Sequence, residues 1–276
     1  MNAYPPGFEE DDGLRSAFIR EITLQQAHRS ATPVACGSSR SAAVPRTLIR
    51  YWHDQCELPD DVRACLDSWE PLREEGFEFR MFSDASAAAY IAERYGPRER
   101  QAFARCRHLA MRSDYLRMCF VLAEGGLYVD ADDVLLGPGW RSLFRNGGLK
   151  LQPMCYDIPT GGMVPATEIW RIDLPTKRRI FYVNNDPIAA PAGHPVLRRA
   201  LARSTGRLLG QGPRPEIQST TGPGNLSAAL AWHVRDAQVA GAPVDFELLR
   251  DWGAIAEARW ELSYRRDARN WRNMNA

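Results

Sequence analysis

Residues 125–133 read Gly-Gly-Leu-Tyr-Val-Asp-Ala-Asp-Asp and are the stretch that decides the fold. The two glycines close an apolar helix predicted over 108–123, and 127–130 has the length and composition of a short buried strand. Carboxylates thus follow directly on a strand end, which is where α/β sheets bind their ligands. Asp130 and Asp132 are two residues apart, so they face the same side of an extended chain.

Two carboxylates that converge on one side repel each other unless a cation lies between them. Hard oxygen ligands suit Mg²⁺ or Mn²⁺, which also bind substrate phosphates. An acidic surface turn is the alternative interpretation of the same string. An EF-hand is excluded because Leu135 and Arg141 stand where that loop requires Gly and Glu.

The helix before the strand contains Ser113-Asp114-Tyr-Leu-Arg117. Asp114 and Arg117 are three residues apart and share one helix face. They form either an ordinary surface ion pair, which stabilises little, or a donor and an acceptor held close together to bind sugar hydroxyls.

Strands predicted over 47–52, 77–82 and 127–130 alternate with helices, which predicts an α/β fold with a mostly parallel sheet. The predicted helices of this half cover 60–73, 85–95, 98–106 and 108–123. Further along the chain, the predictions are strands over 148–154 and 180–183 and helices over 194–209 and 226–239. A helix over 13–28 and a Ser/Ala/Gly-rich linker give two units, 1–43 and 44–276.

Composition narrows the function classes. The 276 residues carry a formal net charge of +1, which argues against a protein that binds nucleic acid through phosphate contacts. Hydrophobic residues make up 45% of the chain, enough for a sizeable core. Six cysteines without a C-x-x-C pair favour reduced thiols. No apolar run is long enough for a transmembrane segment, and no secretory signal is visible, so we expect a soluble cytoplasmic protein; delivery to a host or another compartment stays open.

Ser-Asp-x-x-Arg followed by Gly-Gly-x-Tyr-x-Asp-x-Asp resembles the DXD sugar-binding region of glycosyltransferase family 32. That family includes yeast-type α-mannosyltransferases and the glucosylating domains of clostridial toxins. Other segments resemble the family in matching order: 45–53, 77–84, 184–190, 193–195 and 221–224. The string near the C-terminus, 264–271, departs from the family because the usual Ser before the final Trp is missing.

The resemblance implies a GT-A type nucleotide-binding fold, with a mostly parallel central sheet flanked by helices and an N-terminal helical extension. It implies a retaining, metal-dependent transfer from a nucleotide-diphosphate sugar, with UDP-sugars favoured and GDP-mannose second. The cofactor would be Mn²⁺ or Mg²⁺. The acceptor would be a glycan, as in polysaccharide biosynthesis, or a lipid-linked, small-molecule or protein acceptor.

The resemblance also implies roles for individual residues. Asp114 and Arg117 match the residues that hold the donor sugar, Asp130 bridges ribose and sugar, and Asp132 binds the metal. The other residues implied to bind the donor, the acceptor or the diphosphate are Trp52, Asp84, Tyr128, Asn184, Asn185, Asp186, Thr221, Gly222 and, as a lid, Trp271. Asp267 or Asn270 would complete the metal shell.

Purely structural roles remain an alternative for several of these residues. Trp52 and Tyr128 suit a hydrophobic core, and 184–186 suits a turn. Residues 221–224 suit either a plain helix N-cap or a set of backbone N–H groups beside a diphosphate. At the level of function, the alternatives are a metal-dependent nucleotide-sugar hydrolase or phosphoesterase and a non-catalytic sugar-nucleotide binding module.

Overall fold

The computed structural model describes residues 4–29, 42–211 and 215–273. Its central sheet has seven strands in the order β2-β1-β3-β7-β5-β6, with β8 pairing on β5, and a second sheet joins β4 to β9. The strands are β1 (Thr47–Tyr51), β2 (Glu78–Phe82), β3 (Gly126–Tyr128), β4 (Asp133–Leu135), β5 (Leu149–Asp157), β6 (Gly162–Met163), β7 (Arg179–Ala190), β8 (Phe246–Leu248) and β9 (Ala256–Ala258).

Helices cover both faces of the central sheet. They are α1 (Asp12–Arg29), α2 (Asp60–Asp67), α3 (Asp84–Tyr95), α4 (Pro97–Ala104), α5 (Leu109–Glu124), α6 (Ala166–Ile169), α7 (Pro195–Leu209), α8 (Ile217–Thr220), α9 (Pro223–Ala240) and α10 (Trp252–Ile255).

The predicted α/β class and the mostly parallel sheet are confirmed. Strand β1 pairs in parallel with β2 and β3, and β8 pairs in parallel with β5. Only β7 and β6 run against the others, because β7 pairs antiparallel with both β3 and β5, and β6 pairs antiparallel with β5. The sheet is therefore mixed in its pairing, although five of the seven strands point one way.

Alternating side chains divide the core between the two faces of the sheet. Ile49 and Tyr128 pack into the larger cluster, which also takes in most of α5 and faces of α1, α7 and α9. Their neighbours Leu48 and Leu127 point the other way, into a smaller cluster that contains Trp69. This two-residue period is what buries β1 and β3 on both faces.

The Gly125-Gly126 pair lets β3 approach β1 closely. Both residues have a positive φ, of 75° and 125°. A Cβ on Gly126 would lie 2.7 Å from the backbone oxygen of Thr47. Only glycine fits this position, which fixes where the carboxylates after β3 emerge.

Three differences from the predictions have physical causes. The helix expected over 60–73 ends at Asp67 and continues as a 3₁₀ turn over Glu70–Arg73, because Pro71 cannot donate an α-helical hydrogen bond. The strand expected over 180–183 extends through Ala190, because β7 pairs with β5 up to Val183 and again with β5 and β3 from Ile188, and the residues between continue the strand across an irregularity in register. The small sheet of β4 and β9 was not expected.

The N-terminal helix predicted over 13–28 is confirmed as α1. Its Phe18, Ile19 and Ile22 are buried in the larger cluster, and the helix packs on β7 and α9. Most of the predicted linker lies outside the described residues. No described helix combines the length and the hydropathy that a bilayer span requires. The described cysteines are free thiols, as expected.

Candidate active site

The candidate site lies at the carboxyl ends of β1, β2 and β3. Trp52 follows β1, Asp84 begins α3 just after β2, and Asp130 and Asp132 follow β3. Parallel pairing brings these ends to one edge of the sheet, as expected for a ligand site in an α/β fold.

Asp130 is held by two side chains at the same oxygen. Arg117 Nη2 and the Tyr128 hydroxyl donate to Asp130 Oδ1 at 2.8 and 2.9 Å. Arg117 also lies over the Tyr128 ring, 4.1 Å from its centroid. Ser113, which is part of the sequence motif, contacts the Tyr128 hydroxyl through its Oγ at 2.6 Å. The Asp130 side chain is nonetheless 35% exposed to solvent.

Asp114 and Arg117 form a buried pair rather than a surface pair. Arg117 Nη2 lies 3.3 Å from Asp114 Oδ1, and both side chains are less than a tenth exposed. Asn185 Nδ2 and Thr221 Oγ1 donate to Asp114 at 2.7 and 3.0 Å. Burial raises the pKa of Asp114 to about 6, against the opposing effect of Arg117. The arrangement makes both residues positioning groups behind Asp130, and their direct contact with a sugar stays a prediction.

The residues 184–186 lie inside β7 and do not form a turn. Asp186 Oδ1 accepts a hydrogen bond from the Asp130 backbone N–H at 3.0 Å, and Arg117 Nη1 donates to the Asn185 carbonyl at 2.7 Å. Asn184 is half-buried and donates to the Asp186 carbonyl at 2.6 Å. This strand therefore connects the loop after β3 with Arg117 on α5.

Two of the backbone N–H groups expected at the start of α9 are already engaged within the protein. The amides of Thr221 and Gly222 both donate to the Ile217 carbonyl, at 3.0 and 2.9 Å. Pro223 has no N–H. The Thr221 side chain joins the site only through Asp114, so the expected role of Thr221 and Gly222 beside a diphosphate has no support from their backbone.

Asp84 is engaged by protein partners. The Tyr51 hydroxyl and Arg112 both donate to its carboxylate. Its side chain is still 34% exposed, and its predicted contact with a base or ribose stays a prediction.

Asp132 is covered by residues that sequence analysis did not single out. The Tyr264 hydroxyl donates to Asp132 Oδ2 at 2.7 Å, and Arg265 forms an ion pair with the same oxygen. Tyr264 also meets Trp52 edge to face, with ring centroids 5.2 Å apart. Both residues belong to the string 264–271, where only Asp267, Asn270 and Trp271 carried an implied role. The only signal in the sequence was that the string also contains an aromatic residue, Tyr264, and a charged residue, Arg265, which could reach the site.

Two of the three residues predicted from the C-terminal string, Asp267 and Asn270, bond to neighbours within that string. Asp267 pairs with Arg269 at 2.7 Å. Asn270 donates to the Arg265 carbonyl at 2.8 Å. Trp271 begins a 3₁₀ turn, and its side chain lies outside the described part of the molecule. Metal binding by Asp267 or Asn270 stays a prediction.

The chemistry of Asp130 and Asp132 fits a divalent cation. Within the described residues, the hydrogen bonds to each side chain fall on one oxygen, Oδ1 of Asp130 and Oδ2 of Asp132, which leaves the other oxygen of each without such a bond. The guanidinium of Arg265 already places a positive charge on Asp132. The same residues contain no group of three or more His, Cys, Asp or Glu side chains that could hold a metal. A bound metal would therefore need oxygens from substrate or water.

Asp133 is a buried acid behind this pair. Neither of its carboxylate oxygens has a hydrogen-bond partner among the described groups, and the guanidinium of buried Arg50 has none either. Burial, and then the charges of Asp132 and Asp130, raise the pKa of Asp133 to about 8. Burial, and then the charge of Asp133, also raises the pKa of its acidic neighbour Asp186. Nothing in the local sequence distinguishes Asp133 from a solvent-exposed acid.

Replacing Asp133 by Asn should remove a pH dependence of stability. With a pKa of about 8 in the folded chain against 3.8 as the ordinary value, the folded state keeps a proton that the unfolded state releases. The free energy of unfolding should therefore fall as the pH rises through that window, by about 1.4 kcal/mol per pH unit for one proton. Urea unfolding at pH 5 and pH 8 in EDTA measures the slope. Asp236→Asn, at an exposed acid, should keep it, and an unchanged slope in Asp133→Asn would contradict the assignment.

The comparisons with known proteins agree with this geometry. Residues 59–145 match the family model described as the glycosyltransferase sugar-binding region containing the DXD motif. The chain carries the sugar-binding region of the DXD glycosyltransferases. The resemblance to the DXD sugar-binding region that was predicted from the sequence is thereby confirmed for this segment. The matched segment contains Asp84, Asp114, Arg117, Tyr128, Asp130 and Asp132.

The relatives that the chain matches are distant. The initiation-specific alpha-1,6-mannosyltransferase of Saccharomyces cerevisiae is 23% identical over 240 aligned residues, covering 75% of this chain and 49% of the relative. The chain thus spans about half the length of that relative. Two solved structures are similar at low identity. The PaToxG glycosyltransferase is 13% identical, covering 83% of this chain and 84% of its own, with a TM-score of 0.43. The UDP-bound glycosyltransferase domain from the YGT toxin is 12% identical, covering 88% and 71%, with a TM-score of 0.31.

Proposed function

We propose that this protein transfers a sugar from a nucleotide-diphosphate sugar to an acceptor, with Mn²⁺ or Mg²⁺ bound by Asp130 and Asp132. The observation that carries the proposal is the state of Asp130. It stands at the carboxyl end of β3, it is fixed at one oxygen by Arg117 and Tyr128, and it is still partly exposed. A carboxylate that is held this firmly and still presented to solvent suits ligand binding better than a surface turn.

The residues around Asp130 supply positioning. Arg117 joins Asp130 to the backbone of Asn185, and Asp114 fixes the Asn185 side chain. The donor sugar would then meet a set of groups whose geometry is settled before it binds, which converts binding energy into orientation. A divalent cation, when bound, neutralises the charge that develops on the departing diphosphate.

The proposal includes retention of the anomeric configuration. The bond from C1 to the diphosphate oxygen breaks, and the acceptor oxygen bonds to C1 from the same face. The acceptor's proton goes to the departing diphosphate. Same-face attack is preferred to a double displacement because no carboxylate in this site is assigned as a nucleophile. Trp52 would stack on the base after Tyr264 moves away.

The choice of donor and acceptor is the finer part of the proposal. A UDP-sugar remains the first candidate. The similarity to the yeast alpha-1,6-mannosyltransferase supports a mannose donor as the second candidate. The acceptor and the cytoplasmic location stay predictions.

Donor turnover tests the function. The full chain is incubated with a panel of UDP- and GDP-sugars in Mn²⁺, Mg²⁺ or EDTA, and released nucleoside diphosphate and free sugar are measured. We expect one donor to be turned over only with metal, and faster when methyl hexosides are added as acceptor probes. Metal-dependent release that no acceptor accelerates would favour the hydrolase alternative. Donor binding by calorimetry without turnover would favour the binding module, and neither binding nor turnover would overturn the proposal.

A further inference from the structure

The 3₁₀ turn Ser263–Arg266 places two side chains on one oxygen of Asp132. Arg265 pairs with Oδ2, and the Tyr264 hydroxyl donates to that oxygen at 2.7 Å. Asp132 is left 8% exposed. The carboxylate that is proposed to bind the metal is thus neutralised by a cation of the chain itself.

Arg265 is held at Asp132 by further contacts. Its Nε donates to the Arg259 carbonyl at 3.2 Å, and its guanidinium lies 4.3 Å from the Trp260 ring centroid. Asp132 also binds this region through its backbone, because its carbonyl accepts from the Arg259 amide at 2.9 Å. The side chain of Arg265 is 13% exposed. These contacts make a defined place for the guanidinium, unlike that of a solvated surface arginine.

The same turn covers the proposed base platform. Tyr264 packs edge to face on Trp52, at an interplanar angle of 89°. Trp52 is only 7% exposed, and its indole N–H is buried without a hydrogen-bond partner among the described residues. A buried donor without a partner is costly, so this conformation leaves one group of the site unsatisfied.

The turn is anchored at both ends. The Ser263 amide donates to Asp61 Oδ2 at 2.5 Å, which ties its start to α2. Beyond the turn, the Ala268 carbonyl lies 3.1 Å from His108 Nε2 at the start of α5. Asp132 and Trp52 would be uncovered if the Tyr264 and Arg265 side chains turned away, while these two anchors kept the backbone of the turn beside the site.

We propose that Arg265 is a further residue of the donor site, the cation that occupies Asp132 until a divalent metal replaces it. The inference rests on the proposed function, since it assumes that Asp132 is a metal ligand. Two positive charges on one carboxylate repel each other strongly at these distances. Metal binding and the Arg265–Asp132 pair therefore compete for the one carboxylate, and a metal that displaces Arg265 from Asp132 would meet the Tyr264 hydroxyl on the same oxygen.

Mn²⁺ binding without any donor tests the exchange. Titration of the full chain with Mn²⁺, following the free ion by electron paramagnetic resonance, gives the affinity directly. We expect Arg265→Gln to bind Mn²⁺ at least about tenfold more tightly than the wild type, because a charged hydrogen-bonded competitor is lost. Arg265→Lys keeps the competing charge and should stay close to the wild type.

Arg266→Gln is the matched control, because it removes the same charge one residue away from an exposed side chain. It should leave the Mn²⁺ affinity unchanged, and adding Asp132→Asn to Arg265→Gln should abolish the gain. Equal affinity of Arg265→Gln and wild type, or an equal gain in Arg266→Gln, would overturn the inference. Asp132-dependent Mn²⁺ binding with the expected gain, but with no donor turnover, would count against the proposed function alone.

Discussion

Replacing Asp132 by Asn is expected to lower metal-dependent donor turnover by about 10²–10³-fold, the loss typical when one group that stabilises transition-state charge is removed. The substitution keeps the size of the side chain but removes the negative charge that would bind the cation. The amide oxygen can still accept from the Tyr264 hydroxyl, but the ion pair with Arg265 is lost, so folding of the variant is measured beside its activity. The measurement is kcat/KM for the best donor of the panel, at saturating Mn²⁺.

The control for Asp132→Asn is Asp236→Asn on α9, where the acid is exposed and pairs with Arg199 at 3.0 Å. This control should keep the wild-type rate. Circular dichroism and the thermal midpoint establish that both variants are folded. Full activity of a folded Asp132→Asn enzyme would show that this carboxylate is not needed for the reaction.

Replacing Arg117 by Met is expected to lower the free energy of unfolding by about 3–5 kcal/mol, the usual cost of breaking a buried ion pair. Arg117 Nη2 lies within 3.3 Å of both Asp114 and Asp130, and the Arg117 side chain is 4% exposed. Methionine fills much of the volume but leaves the Asp114 carboxylate buried without its cation. Urea denaturation at pH 7.5 measures the loss.

The matched control for Arg117→Met is Arg199→Met, which breaks the exposed pair with Asp236. It should cost about 1 kcal/mol or less. Because Arg117 lowers the pKa of Asp114, the variant's Asp114 should have a pKa above the wild-type value of about 6, and the deficit of Arg117→Met should shrink as the pH falls from 8 towards 6 and the variant alone takes up a proton. A deficit as small as that of Arg199→Met at pH 7.5 would contradict the buried network.

Much of the fold could be predicted from local patterns. Leu48 and Ile49 point into different clusters, as an apolar strand between two helical layers requires. Residues that join distant strands were less predictable. Asn184, Asn185 and Asp186 are polar enough to suggest a turn, yet they continue β7 between two segments that pair with its neighbours, up to Val183 and from Ile188. Sheet pairing outweighed their local preference.

For the site, the sequence could identify which acids meet at the end of β3 but not how each one is surrounded. Asp132 and Asp133 are neighbours in an identical acidic context. In the structure, Asp132 lies beneath Tyr264 and Arg265. Asp133 is buried near other acids, and no described group donates a hydrogen bond to its carboxylate. Their difference arises from contacts with residues more than fifty positions away, which no local spacing encodes.

Helix α1 has a practical consequence for anyone who shortens this chain. Its Ser16 hydroxyl accepts a hydrogen bond from the Phe181 amide at 2.8 Å, only a few residues before Asn184 on β7. A version that starts at 44, or one trimmed to the matched 59–145, would expose the apolar surface that Phe18, Ile19 and Ile22 cover. The first helix thus stabilises the strand that carries part of the site. A chain that lacks this helix would be prone to aggregate through the exposed apolar surface.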